Sequence, residues 1–251
     1  MKLKCYYRIC DKAKMGWGFT WKQCLLNFID YFQPTPDELI LFLDNSEQST
    51  VNDVSDICQT YGFKMPELTK YGNSYSFYKS AEKALNDIET DEDMIYFVEN
   101  DYLHRSGSKF ALTEMLNTFG KDGYVTLYDH PDKYYPFFFD TNRNQYANYC
   151  EIEENTNIKS KIHYLKSGWW RTVPTTCMTF GCKAKVLKED FSVIKEHTEP
   201  YGAKQPKDFD MFNKLIASGR ELYSSIPSYS SHTSLMATGV DWKLYMRSNY
   251  D

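Results

Sequence analysis

The sequence predicts an α/β fold, a mostly parallel central sheet flanked by helices. Short apolar runs alternate with longer amphipathic segments through the first half of the chain, which is typical of strand–helix–strand units. Two of these runs, residues 39–44 and 95–99, are nearly continuous and end in a carboxylate. Central parallel strands have this character because helices cover both of their faces. No repeat or linker interrupts the chain, so we expect one domain, residues 1–251.

Each predicted element has local support in the sequence. Thr20 can cap a helix whose apolar residues recur at i, i+3, i+4 and i+7 as far as Phe32, and Pro34 and Pro36 end it. Gly62 follows the next helix, where a C-terminal cap belongs. The other predicted elements are strands at 4–9, 39–44, 95–99 and 124–128, and helices from about 51, from about 74, at 108–119, at 184–196 and from 208.

Composition narrows the functional classes. The 251 residues include 29 Lys and Arg against 34 Asp and Glu, a formal charge of -5, without a basic stripe. We therefore expect no nucleic-acid partner. No apolar stretch approaches the roughly 18–20 residues of a membrane span, and the N-terminus lacks a signal-peptide core, which predicts a cytoplasmic protein. The seven scattered cysteines indicate reduced thiols.

An acidic triplet, Glu99-Asn100-Asp101, follows the apolar run at 95–98. Open α/β sheets bind their ligands at the carboxyl ends of the strands. Carboxylates there suit Mg²⁺ or Mn²⁺, which use one or two protein carboxylates and take further ligands from phosphate and water. The triplet therefore indicates a divalent-cation site that also holds a diphosphate. Taken alone, a triplet of this kind fits a strand that ends in a polar turn.

Polar residues after the first strands are candidates for a nucleotide pocket. A carboxylate at a strand end can accept N–H or O–H groups from a base or ribose, and a helix N-terminus presents N–H groups to phosphate. Each of these residues fits a turn or a helix cap equally well. The candidates are Arg8 and Asp11 after the first strand, Asp44 and Asn45 after the second, Asn73 and Ser74 at the third helix, and Asn100 in the triplet.

Several strings extend the pattern: YYRICDK at 6–12, GNSYSF at 72–77, YFVENDYLHR at 96–105, TLYDHPDKY at 126–134 and TTCMTF at 175–180. The chain closes with an acidic helix start at Asp208, then Gly219, Pro227 and His232. Together with Glu-Asn-Asp as a variant of the DxD motif, this combination resembles inverting glycosyltransferases with the A-type fold, and in particular a compact bacterial and large-virus branch. The resemblance covers about residues 5–242.

The resemblance implies a metal-dependent transfer of a hexosyl or deoxyhexosyl group from a nucleotide-diphosphate sugar to a glycan acceptor, in polysaccharide biosynthesis. Asp101 would be the direct ligand of Mn²⁺ or Mg²⁺, with His232 across the diphosphate and Glu99 bound through water or to the ribose. Asp208 would take the proton of the acceptor hydroxyl, and Asp210 is the substitute. An ordinary loop histidine at 232 and a helix-capping Asp208 are the alternatives.

The resemblance also divides the chain into a nucleotide-sugar half, about 1–104, and an acceptor half, about 105–251. Two departures from the family pattern concern the triplet, where Glu99 and Asn100 replace the usual Asp residues, and the helix start, where Lys-Asp replaces the Glu-Asp of many relatives.

Aromatic faces bind the C–H surface of sugars, so the acceptor platform is predicted at Trp169, Trp170 and Arg171; a pair of core tryptophans is the alternative.

Two other functions remain open at this stage. A sugar-phosphate nucleotidyltransferase shares a nucleotide-binding α/β half, but ordinarily carries a Gly-rich basic loop after its first strand, which residues 10–16 only weakly resemble. The other is a non-catalytic glycan-binding protein on a transferase fold. His104 and Arg105 follow the triplet closely and are further candidates for contact with the transferred sugar.

Overall fold

The computed structural model describes residues 1–12, 15–131, 160–199, 206–237 and 239–246. The strands are β1 Leu3–Ile9, β2 Leu39–Asp44, β3 Glu67–Thr69, β4 Met94–Glu99, β5 Tyr102–His104, β6 Gly123–Thr126, β7 Ile162–Leu165, β8 Gly168–Thr172, β9 Phe180–Lys183, β10 Glu221–Ile226 and β11 Ser230–His232. The helices are α1 Trp21–Phe32, α2 Gln48–Tyr61, α3 Asn73–Asp87, α4 Ser108–Phe119, α5 Ala184–Thr198 and α6 Asp208–Ala217, followed by a 3-10 turn, Trp242–Tyr245.

Nine strands form one mixed sheet in the order β3-β2-β1-β4-β9-β6-β10-β8-β7. β1 runs parallel to β2 and β4, and β6 runs parallel to β10. β9 lies antiparallel between β4 and β6, and β8 and β7 form an antiparallel hairpin at the edge. β5 and β11 pair separately as a two-stranded antiparallel sheet. The α/β prediction is confirmed, with a sheet that is more mixed than the sequence indicated.

Strand alternation divides the core into two layers. One face of the sheet packs against α1 and α4, with Tyr7 of β1 and Val98 of β4 on that side. The other face packs against α3, α5 and α6, with Tyr6 and Phe97 on that side. Because successive strand residues point to opposite faces, residues 8 and 99 share the α3–α6 face with Tyr6 and Phe97.

The predicted helices begin and end where their capping residues lie. Thr20 and Gln23 form a capping box at the start of α1. Gly62 ends α2 in the left-handed region at φ 73°, with its N–H bonded to the carbonyl of Cys58. In the part of the chain described here, no helix has the length and apolar character needed to cross a membrane. The six cysteines within it are free thiols, and Cys150 lies outside the described residues.

Candidate active site

The parallel pairing of β1 and β4 brings Arg8 beside Glu99 at the carboxyl edge of the sheet. Arg8 is only 5% exposed, and its Nη2 donates to Glu99 Oε1 over 3.0 Å. Nη1 donates to both the carbonyl and the side-chain oxygen of Asn73 at the start of α3. Burial raises the pKa of Glu99 to about 7, since the negative charge of Asp101 adds to it and the positive charge of Arg8 only partly offsets it. This edge of the sheet therefore contains a buried cluster of charged side chains.

Asp101 and His232 lie together because β5, which begins directly after Asp101, pairs antiparallel with β11, which ends at His232, so that His232 is opposite Tyr102. Asp101 Oδ2 lies 3.1 Å from His232 Nε2. The carbonyl of Asp101 accepts from the N–H of Thr233 over 2.8 Å, which fixes the backbone on both sides. The other carboxylate oxygen, Oδ1, is buried without a hydrogen-bond partner among the described residues. The predicted metal ligands are thus adjacent, and one buried acceptor remains available.

The hydrogen bonds of His232 define its tautomer. The N–H of Ser234 donates to Nδ1 over 3.0 Å, so Nδ1 carries no proton and Nε2 donates to Asp101. Coordination of a metal by Nε2 requires its lone pair, so the proton must move to Nδ1 and the Ser234 contact must break. Metal binding at this position would therefore be coupled to a small rearrangement of residues 232–234.

The residues present fit a metal that completes its coordination from a ligand. The described residues contain no group of three or more His, Cys, Asp and Glu side chains that could hold a metal. Two ligand atoms at right angles on an ion with bonds of about 2.1 Å lie about 3.0 Å apart, close to the observed 3.1 Å between Asp101 and His232. A pair of protein ligands plus phosphate oxygens and water is the coordination that Mg²⁺ commonly uses.

The two candidate bases lie in the first turn of α6. Asp208 is partly buried, and its Oδ1 accepts from the N–H of Phe209 over 2.8 Å. The charge of Asp208 is the smallest of the causes that raise the pKa of Glu99. Asp210 is exposed. The contact between Asp208 and the N–H of Phe209 is of the kind that the helix-capping alternative expects, and the role of Asp208 as a base stays a prediction.

The carboxylate of Asp44 holds a loop together. It is 4% exposed and accepts from the N–H groups of Tyr71 and Gly72 and from the hydroxyl of Thr69. Asn45, at φ 53°, is exposed and donates to Asp44. These contacts fix the chain before α3, so Asp44 shapes the predicted nucleotide pocket through the backbone and has few acceptor positions left for a base.

The remaining predicted pocket residues also make structural contacts. Asp11 accepts from the N–H of Glu47 over 2.7 Å at the start of α2, while its Oδ1 is buried without a partner in the described chain. Asn100 donates to the carbonyl of Cys10, which ties the triplet to the loop after β1. Ser74 is fully buried and donates to the carbonyl of Thr198, which joins α3 to α5.

The predicted acceptor residues lie on opposite faces of β8. Trp169 is 53% exposed, whereas Trp170 is fully buried against the α1–α4 layer, with its Nε1 donating to Ser167. Arg171 is buried and donates to Asp129 over 3.0 Å. The placement of Trp170 on an acceptor surface is therefore corrected, because its indole ring has no free face. Of the three predicted acceptor residues, only Trp169 presents an exposed aromatic ring.

The prediction for His104 is also corrected, and the sequence analysis did not single out Thr179 or Trp17. His104 is fully buried in the aromatic core, so it has no access to a sugar. The guanidinium of Arg105 stacks on the ring of Tyr229 at 3.9 Å, and contact of Arg105 with a sugar stays a prediction. Thr179, whose hydroxyl accepts from the N–H of Glu99, lies in the TTCMTF string at 175–180, but no role was predicted for it. Trp17 is 68% exposed at φ 58°, a rare conformation for a bulky residue, and its flanking glycines were the available signal.

Comparisons with known proteins agree with this architecture. No protein-family model matches the chain, and no curated protein sequence matches it significantly. The crystal structure of S. aureus TarS superposes with a TM-score of 0.51 at 13% identity over 93% of this chain. A crystal structure of S. aureus TarS 1-349 gives 0.46 at 9% identity, covering 90% of this chain and 60% of that one. A Bacillus anthracis protein described as a glucose-1-phosphate thymidylyltransferase in complex with a sucrose gives 0.49 at 10%, covering 93% and 90%.

The likeness to TarS concerns the fold. This chain spans only 37% of the length of TarS. At such low identity the superposition shows that the chain has the α/β architecture of the glycosyltransferase A-type fold, as the sequence predicted. What the chain does must be argued from its own site residues.

Proposed function

We propose that this protein is a metal-dependent, inverting glycosyltransferase that transfers a sugar from a nucleotide-diphosphate donor to a glycan acceptor. The observation that supports it most is the Asp101–His232 pair, 3.1 Å apart, beside the buried Arg8–Glu99 pair at the carboxyl edge of an A-type sheet. Ligands bind at this edge in open α/β sheets. The donor would be a nucleotide-diphosphate sugar, and the product glycan would belong to polysaccharide biosynthesis.

Asp101 and His232 would hold Mn²⁺ or Mg²⁺, with Glu99 near it through water or the donor ribose. When bound, the ion neutralises negative charge that develops on the departing nucleoside diphosphate. Arg8 keeps Glu99 in place and adds a positive charge to the same pocket. Arg8 also holds Asn73 at the start of α3, and the N-terminus of that helix would offer N–H groups to the diphosphate.

Asp208 would act as the base. In the transfer, the acceptor oxygen forms a bond to the anomeric carbon while the bond from that carbon to the diphosphate oxygen breaks. The hydroxyl proton goes to the carboxylate of Asp208, and the electron pair of the broken bond leaves with the nucleoside diphosphate. This role requires the carboxylate of Asp208, in the first turn of α6, to reach the same reacting centre as the metal ligands.

Nucleoside-diphosphate binding with and without metal tests this proposal. Isothermal titration of UDP, GDP and dTDP should detect at least one ligand that binds in Mn²⁺ and is lost in EDTA. Asp101→Ala removes the carboxylate ligand and should abolish this binding at any metal concentration. Asp53→Ala changes an exposed carboxylate on α2 and should behave as wild type. Undiminished binding in EDTA would contradict the metal site.

Turnover separates an enzyme from a binding protein. Wild-type protein should release nucleoside diphosphate from the corresponding nucleotide sugar in Mn²⁺, by slow hydrolysis or by transfer. Metal-dependent binding without any release of nucleoside diphosphate would favour a non-catalytic glycan-binding protein. Release of pyrophosphate from a nucleoside triphosphate and a sugar phosphate would instead indicate a nucleotidyltransferase.

A further inference from the structure

An exposed pair of aromatic rings stands on the edge hairpin formed by β7 and β8. Tyr164 and Trp169 are opposite each other in the register of the hairpin, with ring centroids 4.8 Å apart and planes inclined by 52°. They are 68% and 53% exposed, and Ile162 on the same face is 57% exposed. A contiguous apolar surface of this kind marks a binding site more often than a scattered single side chain does.

The hairpin beneath the two rings is fixed from several directions. Its turn donates the N–H groups of Lys166 and Ser167 to Glu114 of α4. The hydroxyl of Tyr229 donates to the carbonyl of Ser167, which connects the turn to the segment that leads into β11 and the site. On the other face of β8, Trp170 is buried in the core. The rings are therefore held in place before any ligand binds, which lowers the entropic cost of binding.

The pair lies on the same face and at the same edge of the sheet as the active site. Trp169 pairs with Ile226 at the carboxyl end of β10, which runs parallel to β6. The alternation that buries Trp170 against α4 turns Trp169 toward the α6 side, which is also the side of Glu99. β8 is four strand positions from β4, or about 19 Å at about 4.8 Å per strand, and β7 is about 24 Å away.

We propose that Tyr164 and Trp169 form a distal subsite for the acceptor, and that the acceptor is therefore a neutral oligosaccharide of several units rather than a single sugar. This rests on the proposed function. A single sugar at the metal site cannot reach rings about 19 Å away, whereas an extended oligosaccharide can. Inclined aromatic faces suit the C–H surfaces of consecutive pyranose rings, while the sugar hydroxyls remain in water.

The charges around the rings favour a neutral occupant. Lys161, one residue before β7, forms an ion pair with Glu221, and Arg171 forms one with Asp129. The third cation, Lys166 in the turn, acts on Glu114 of α4, and its charge helps to lower the pKa of that carboxyl. These cations are therefore already compensated, and an anionic polymer would gain little from them. A second copy of the chain, paired along the edge strand β7, is the other occupant that this surface would accommodate, and it is an outcome of the test.

Titration with oligosaccharides of different length tests the subsite. Cellohexaose, chitohexaose, maltohexaose and mannohexaose, each beside its monosaccharide, are titrated into the protein saturated with Mn²⁺ and nucleoside diphosphate. We expect at least one hexasaccharide to bind more tightly than its monosaccharide. Trp169→Ala and Tyr164→Ala should each weaken that hexasaccharide by about tenfold, the effect of losing an aromatic anchor, and leave the monosaccharide and nucleoside diphosphate unchanged. Trp169→Phe should retain most of the affinity.

Phe110→Ala is the matched control, because Phe110 is 51% exposed on α4, on the opposite side of the sheet. It should bind the hexasaccharide as wild type does. The subsite would be overturned if wild type and Trp169→Ala bound every hexasaccharide with equal affinity, or if no hexasaccharide bound at all. If nucleoside diphosphate still binds in a metal-dependent way in that case, the proposed function remains supported. A dimer in sedimentation that Trp169→Ala dissociates would assign the rings to a second copy. Failure of metal-dependent nucleoside-diphosphate binding would reject the proposed function, and the subsite with it.

Discussion

Arg8 shows how one buried charge organises the ligand-binding edge. Burying two charges costs free energy unless their hydrogen bonds are nearly complete. Arg8 uses Nη1 and Nη2 for Asn73 and Glu99, while its Nε is buried without a hydrogen-bond partner among the described residues. The same arrangement buries Glu99, and this burial raises the pKa of its carboxyl to about 7. These costs are typical of a binding site, where a ligand supplies the missing partners.

The choice between Asp208 and Asp210 is testable at this scale. Asp208→Asn keeps the acceptor oxygen that receives the N–H of Phe209, so it should leave folding and metal-dependent donor binding nearly intact. It should lower kcat by about 10²- to 10⁴-fold, the usual contribution of a general base. Asp210→Asn changes an exposed carboxylate on the same helical turn and is the matched control.

Steady-state transfer rates, together with melting temperatures, decide between the two aspartates. If Asp210→Asn loses kcat and Asp208→Asn does not, the role of base belongs to Asp210. If neither substitution changes kcat, the inverting mechanism is contradicted.

At the residue scale, sequence prediction was most specific where a motif indicated both the residue type and its place in the fold. The resemblance assigned Asp101 and His232 to one metal site, with His232 across the diphosphate; the two side chains lie 3.1 Å apart, and their role as metal ligands stays a prediction. The two tryptophans show the opposite case. Consecutive residues of a strand point to opposite faces, so Trp169 and Trp170 of β8 cannot both lie on an exposed face. The sequence analysis did not predict strand β8, and the wrong prediction for Trp170 followed from that.

At the scale of elements, the loop between β1 and α1 is fastened against the segment after β11. A Cβ atom on Gly16 would lie 2.3 Å from the carbonyl oxygen of Thr233 and 2.4 Å from Cα of Ser234. Only glycine permits this approach of two backbones. Since His232 directly precedes that segment, the loop supports the position of the predicted metal ligand.

Gly16→Ala tests this contact between elements. The added methyl group must displace residues 233–234, so metal-dependent binding of nucleoside diphosphate should weaken by about tenfold or more, the loss of roughly one well-placed contact. Gly18→Ala is the control: Gly18 has φ 78° and open space around its Cα, so alanine there costs about 1–2 kcal/mol of stability through its backbone alone. Equal binding by the two variants, measured by titration in Mn²⁺, would contradict a role for the contact.

Long periodic elements were predicted well and short ones were not. The helix Trp21–Phe32 and the strand Leu39–Asp44 have the predicted bounds, because a cap, prolines and a continuous apolar run define them. The strands Glu67–Thr69 and Ser230–His232 have three residues each, which is too few to show an alternation of apolar and polar residues. The β7–β8 hairpin that carries Trp169 was also not predicted, and its strands have four and five residues.

The whole sheet explains why its mixed character escaped sequence analysis. β9 enters antiparallel between β4 and β6, so the strand next to β4 in space comes from much later in the chain. Strand order depends on such long-range pairings, which leave little local trace. The pairing nevertheless keeps the ends of β1, β4, β6 and β10 on one edge, and the candidate site lies there.

The stability of the whole molecule should depend on pH through a buried histidine. His104 is fully buried among aromatic rings, and its Nε2 lies 2.9 Å from the hydroxyl of Tyr96. Burial lowers its pKa to about 3, against about 6.5 in the unfolded chain. Between these values the unfolded state binds the additional proton. The free energy of unfolding should therefore fall as the pH drops below about 6.5, by up to about 1.4 kcal/mol per pH unit.

Urea unfolding of wild type and His104→Gln between about pH 7 and about pH 5 isolates this contribution, because the carboxylates titrate in both proteins. His104→Gln should be less stable near neutral pH, since glutamine fills the aromatic site poorly, but its stability should fall less steeply toward pH 5. Melting temperatures of both proteins at about pH 7 provide the reference for the loss of stability caused by the substitution itself. Parallel curves for wild type and His104→Gln would show that protonation of His104 does not oppose folding, and that the aromatic layer under the site accommodates the charged ring.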